Sequence, residues 1–291
     1  MIIPIIAVFA AAGGIIWDKI VLSAQKIGYR QLIIILFLLL FLICLVFYPF
    51  WGHIESRAFS GKYLGLLFLI IFIASIYNVL YYHGVEKEKI VQVELITMLT
   101  PLSTIVIASV FLQSERNWHI FFAGIIASFA LIFSHMRRHH LSFDIFEKGL
   151  LIYLLLYPIE AILIKNLLYL YSPLALYLVR TLGVFIFLFI WFFWIRPIFV
   201  DEPMPSFSHL KLKHYLSCVG IAVLAVLQMV LTYTAYSSWG IVYTTIILIL
   251  TPILVYFGGF FILKEKIKKR VVIAAIVILI CIAYAYFSIT G

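Results

Sequence analysis

Two glutamates stand inside long apolar runs of this chain, each joined at helical spacing by groups able to bind a polar ligand. In "YLLLYPIEAILIK", Tyr153, Tyr157 and Glu160 fall at i, i+4 and i+7, one stripe of a helix. Pro158 lacks an N–H, so it loosens that helix and frees a carbonyl one turn back. In "VELITMLTPLSTI", Glu94, Thr97, Pro101 and Thr104 share a face at i, i+3, i+7 and i+10. An ionised side chain near the centre of a membrane helix costs about 2.5–3.5 kcal/mol on insertion scales, so its first reading is functional. The chemistry expected of Glu160 and Glu94 is binding of a cation or an organic substrate, or exchange of a proton with it. The plainer alternatives are a structural Glu160 bonded to a neighbouring helix and a Glu94 close enough to water to be solvated.

Further polar stripes fit such a site. Tyr77 and Tyr81 are four residues apart, and so are Gln228 and Thr232, which stand at matching places in the second half. Asn78 has little apolar reason to be where it is. Thr245 stands where Glu94 does, so any site shared by the halves is asymmetric. Rings can stack on an organic molecule or hold its cation, and amides orient it. Tyr48, Tyr63, Tyr169 and Tyr171 read as interfacial anchors. Asp18 and Lys19 are neighbours and diverge by about 100° on a helix, so they do not simply pair. With Lys165 they are gate residues, or anchors that snorkel to the interface. Arg30 and Arg180 are equally open to both readings.

Other chemistries lack their residues. "HMRRHH" has three histidines but no nearby cysteine, and its arginines repel a cation, so contact with lipid headgroups is expected and no metal. "LKEKIKKR" reads as a basic turn and not a nucleic-acid patch. The three cysteines, Cys44, Cys218 and Cys281, are far apart in apolar surroundings and show no disulfide or metal spacing. No phosphate loop, nucleophile–base set or cofactor motif is visible, which argues against an enzyme and against nucleotide-driven transport.

The elements that must position these residues follow from composition. Of the 291 residues 66% are hydrophobic and 11% charged, with mean hydropathy +1.19. A soluble domain has about a quarter of its residues charged, so an all-α integral membrane protein is expected. A bilayer core needs about 20 apolar residues per helix. Cutting at charges and turn residues places spans near 3–23, 30–50, 62–83, 89–112, 117–136, 147–170, 172–195, 212–236, 239–263 and 269–289. The N-terminus has no basic segment before its apolar run and reads as a retained span. The net charge of +9 fits loops facing the cytoplasm and not nucleic acid.

The ten spans fall into two related sets. Leu99-Thr100-Pro101 matches Leu250-Thr251-Pro252, and Ile90-Val91 matches Ile241-Val242 at the same offset. Glu115 aligns with Glu265 with a one-residue slip, "LYY" at 80–82 matches "LTY" at 231–233, and Arg30 stands opposite Arg180. The expected units are 1–140 and 141–291, each of five spans. Five is odd, so the copies insert in opposite orientations, as in many secondary transporters with a site at the midplane. Pro101 and Pro252 become paired hinges.

This arrangement resembles the drug/metabolite transporter superfamily, and its EamA-type branch in particular. Each half has a Pro-containing fourth span, a short Glu-bearing loop and a fifth span, and "GIIWDKIVLS" looks like that branch's first helix. The resemblance implies spans 1–4 and 6–9 around a central cavity, with 5 and 10 outside. It implies no particular substrate. The loops after spans 1, 3, 5, 7 and 9 carry most of the 21 Lys and Arg, against Arg57, Lys62, Arg116 and Lys165 on the other face, with Arg180 just inside a span. That bias puts both termini outside, whereas the resemblance favours termini inside.

The functional expectation is a multi-pass protein of a prokaryotic plasma (inner) membrane. It moves a small organic metabolite by alternating access, either coupled to protons through Glu160 or Glu94 or, equally open, by facilitated diffusion or exchange. Its partners are the substrate and membrane lipids, with no cofactor, and it acts as a monomer or homodimer. A flippase for a lipid-linked carrier and a membrane-embedded enzyme are the alternatives.

Overall fold

A computed structural model describes residues 2–25, 27–87, 99–135, 145–196, 205, 207, 210–263 and 269–290. The helices are α1 (Ile2–Gln25), α2 (Tyr29–Trp51), α3 (Gly61–Lys87), α4 (Thr100–Phe111), α5 (Trp118–His135) and α6 (Ile145–Leu167). They continue with α7 (Pro173–Ile190), α8 (Leu212–Trp239), α9 (Ile241–Leu248), α10 (Leu250–Leu263) and α11 (Lys269–Thr290). A π-turn over Trp191–Ile195 extends α7. Tyr29–Trp51, Gly61–Gly84, Pro173–Ile195 and Leu212–Trp239 are each long and apolar enough to cross a membrane. Phe68, Phe111, Trp118, Phe133 and Phe287 stand exposed around the outside, a greasier surface than water tolerates over a whole molecule. This is a helical membrane protein.

The ninth expected span, 239–263, is two helices. Pro252 has no N–H to give to the Leu248 carbonyl, and its ring crowds that group, so α9 ends at Leu248 and α10 starts at Leu250. In the first half α4 starts at Thr100, with Pro101 in its first turn. The two prolines therefore sit at matching helix starts and not at bends within continuous helices. Pro158 lies inside α6, and the carbonyl it leaves free, that of Leu154, accepts from Ser103 Oγ on α4 at 2.9 Å. The same hydroxyl is 2.9 Å from the Thr100 carbonyl.

The turn "LQSERNW" between α4 and α5 shows how closely side chains finish these helices. Arg116 donates to the last carbonyls of α4, at Ser109 (3.3 Å) and Val110 (3.1 Å). Asn117 Oδ1 accepts from the N–H groups of His119 (2.9 Å) and Ile120 (3.3 Å), starting α5. Ser172 caps α7 by accepting from Ala175 N–H, with Pro173 in the first turn. His53 and Ser172 exchange hydrogen bonds of 2.9 Å, and Ile54 pairs with Tyr171 in an isolated antiparallel bridge. The turn after α2 is thereby tied to the turn after α6.

Helices of the first half pack mainly on helices of the second. The main contacts join α1 to α8, α3 to α6, α2 to α7, and α5 to α11. Further contacts join α2 to α8 and α3 to α7, and α4 packs on both α6 and α9. Gly183 permits the α3–α7 approach: a β-carbon there would lie 2.3 Å from Ile71 Cδ1. That approach brings Arg180, just under one turn earlier, against α3.

Candidate functional site

Three side chains from three helices close a triangle in the buried interior. Arg180 Nε on α7 donates to Glu160 Oε1 on α6 at 2.5 Å. The Tyr77 hydroxyl on α3 donates to Glu160 Oε2 at 2.6 Å and accepts from Arg180 Nη2 at 2.5 Å. Glu160 is 1% and Arg180 3% exposed. Burying two charges is costly, and the cost is offset only when geometry is close and the remaining polar atoms are satisfied. Here both carboxylate oxygens accept, and the hydroxyl that serves one of them also serves the guanidinium.

Tyrosines surround the triangle. Tyr77 meets Tyr153 and Tyr157 edge to face, with centroids 5.5 and 5.9 Å apart. Tyr153 lies against Tyr81, which lies against Tyr82. On the other side the Arg180 guanidinium carbon is 5.8 Å from the Tyr177 ring centre, and Tyr177 meets Tyr233 edge to face. The hydroxyl of Tyr233, a residue 1% exposed, has no hydrogen-bond partner among the described residues.

The expected site residues divide into groups. Tyr77, Tyr81, Tyr157 and Glu160 come together around the triangle. Asn78 turns back on its own helix, donating to the Ala74 carbonyl at 2.8 Å. Thr232 is buried and donates to the carbonyl of Gln228 at 2.8 Å, while Gln228 itself is half-buried. Glu94 and Thr97 lie outside the described residues. Asp18 on α1 has one carboxylate oxygen buried with no partner among the described residues. Lys19 follows it, and its side chain lies outside the described part. Arg30 is the second residue of α2, whereas Arg180 is buried eight residues into α7, so the two do not share an environment.

Lys165 ion-pairs with Glu115 of the α4–α5 turn. Glu115 is 8% exposed and also accepts from the N–H groups of Ile241 (2.8 Å) and Val242 (2.9 Å), the first turn of α9. Gly240, alone between α8 and α9, has φ +87°. A β-carbon there would lie 2.8 Å from both Glu115 carboxylate oxygens, so backbone and space each demand glycine.

Sequence reasoning named Glu160 and missed its partner. The signal was present: an arginine seven residues inside an apolar span needs an anion at its own depth, and Glu160 is such an anion. Glu115 was legible as a marker of the repeat but not as a cap, because its donors lie 126 and 127 residues away.

No family model matches the chain, and no curated protein matches it in sequence. Among solved structures, one described only as "Crystal structure of protein" matches with TM-score 0.71 at 10% identity, covering 96% of this chain and 95% of that one. At that identity the likeness concerns fold alone, and it extends over nearly the whole chain.

Proposed function

We propose that this chain is a ten-span secondary transporter of the drug/metabolite type, built from two inverted five-helix repeats, 1–140 and 141–291. It moves a small organic metabolite across a prokaryotic plasma membrane by alternating access. The observation that carries the reading is the exchange of helix partners between the halves. If spans 1 and 6, 3 and 8, and 2 and 7 are equivalent, the α1–α8 contact is the counterpart of α6–α3, and α2–α8 is the counterpart of α7–α3. The α2–α7 contact maps onto itself. A two-fold axis between copies generates this pattern, and transport sites lie at such interfaces.

The substrate region is the tyrosine-lined zone around Glu160, Arg180 and Tyr77, with Tyr81, Tyr157 and the hydroxyl of Thr245 as further candidates. Asn78, Gln228 and Thr232 keep supporting places on the same helices, and Asp18, Lys19 and Lys165 remain gate candidates. In the packed state Glu160 is held by Arg180, so a substrate cation or a proton reaches it only by competing with that guanidinium. Proton coupling through Glu160 therefore requires the pair to part during the cycle. Glu94 is the other carboxylate proposed for that role. The charge bias favours termini outside.

The reading is tested by flux in proteoliposomes across a panel of amino acids, nucleosides, sugars and organic amines, with and without a proton gradient. Accumulation of one class by the parent protein, altered in Glu160→Gln, supports it. If no organic solute moves but labelled lipid-linked sugars cross leaflets, the metabolite reading falls in favour of a flippase. Unchanged flux in Glu160→Gln under every gradient rejects its coupling role.

A further inference from the structure

We propose that Glu115, Lys165 and the N-terminus of α9 form a latch that holds one end of the molecule closed, and that this latch opens when that end admits solute. The inference rests on the transport reading. Its elements come from both halves: Glu115 from the turn after α4, Lys165 from the last turn of α6, and Ile241 and Val242 from α9.

The first-turn N–H groups of a helix have no partners within it, and they attract a carboxylate through both hydrogen bonding and the helix dipole. Glu115 supplies that carboxylate from the other half, so separating the α4–α5 turn from α9 strips two donors and a cation from it at once. The turn pairing of Ile54 with Tyr171 and of His53 with Ser172 lies at the same end, since Tyr171 follows α6 just beyond Lys165. The two halves are thus joined twice there.

Two features suit this contact to opening. It lies at helix ends, where Lys165 is 24% exposed in its side chain, so a released carboxylate meets water instead of a buried interior. And α9 is a separate rigid piece of eight residues, bounded by Gly240 at positive φ and by the break that Pro252 imposes. It carries Tyr243, whose buried hydroxyl has no hydrogen-bond partner among the described residues, and the buried Thr245. Movement of α9 about those two points would re-aim both groups as the end opens.

The test is side-specific labelling of full-length protein in proteoliposomes. Cys44, Cys218 and Cys281 are replaced by Ala, and Thr245→Cys serves as reporter for a membrane-impermeant maleimide. Glu115→Ala is expected to raise the labelling rate from the α8–α9 turn side by about tenfold, the effect of a tenfold shift in the open–closed equilibrium. Lys165→Met should raise it less and Lys165→Arg hardly at all. Parent rates in both Glu115→Ala and Lys165→Met overturn the latch. If Glu115→Ala does not purify as a monodisperse species, the Lys165→Met rate decides alone. Flux is read separately, in the parent protein and in the same Glu115 and Lys165 variants with Thr245 and the native cysteines retained. Faster labelling with no solute moved in any variant keeps the latch and removes the transport reading, whereas flux with unchanged labelling does the reverse.

Discussion

Glu160 and Glu115 are both buried, both paired with a cation, and both hold halves of the molecule together, yet they are held differently. Among the described residues every partner of Glu160 is a side chain: Arg180 and Tyr77, themselves hydrogen-bonded to each other. Of the three partners of Glu115 among the described residues, two are backbone N–H groups. A substitution can remove Arg180, but none short of proline can remove an N–H. The central glutamate is therefore vulnerable through its partners, while the peripheral one is vulnerable mainly through its own carboxylate. The difference also separates roles: a closed triangle of side chains in a buried interior fixes three helices, and a helix cap near water can be made and released.

Substitutions that break this contrast rank by how much charge they strand. Arg180→Gln leaves Glu160 buried without its cation and is expected to cost about 3–5 kcal/mol. The check is thermal unfolding of purified protein in detergent. The double change Arg180→Gln with Glu160→Gln should recover part of that loss, because no charge is then orphaned. Glu115→Ala removes a charged acceptor from two N–H groups, and at about 1.5–3 kcal/mol it should rank next in the same assay. Tyr77→Phe keeps the ring and deletes the hydroxyl that both charged groups use, an expected loss of about 1–3 kcal/mol. If Tyr77→Phe proved as damaging as Arg180→Gln, the triangle would not depend chiefly on its ion pair.

The smallest expected effect concerns neither carboxylate. Ser103→Ala leaves the Leu154 carbonyl, freed by Pro158, without its donor from α4. The expected loss is about 1 kcal/mol, and hydrogen–deuterium exchange in the middle of α6 should rise. Exchange unchanged there would mean that the carbonyl finds another donor and that the α4–α6 contact does not rely on this hydroxyl.

Much of the architecture was legible because helices in lipid must satisfy their own backbone and present apolar surface outward. That requirement makes span positions readable from runs of Leu, Ile, Val and Phe, and the expected spans agree closely with α1–α3, α5–α8 and α11. The ninth span was misread as continuous. The effect of Pro252 on the Leu248 carbonyl follows from covalent geometry, and the sequence reading treated it as a bend where it is a break. Tyr77, Tyr157 and Glu160 were named together as site candidates because polar groups at helical spacing share a face. Thr232 was named for the same reason and Asn78 for being polar where nothing apolar explains it, but their side chains bond back to their own helices. Composition cannot distinguish an inward polar group that faces a ligand from one that satisfies a local carbonyl.

By itself, then, the amino-acid sequence determined that this is a helical membrane protein, where its apolar helices run, and that its interior carries charge that must be balanced. Those conclusions depend on local chemistry: side-chain hydropathy, helical period, and the missing N–H of proline. Which charges balance which was decided only in three dimensions. Glu160 finds Arg180 20 residues away and Tyr77 83 residues away, and Glu115 finds α9 more than 120 residues away. A buried charge requires a partner but does not specify one. The choice falls to whichever helices close packing brings to the same depth, as Gly183 does for α7 against α3 and Gly240 does for α9 against the α4–α5 turn.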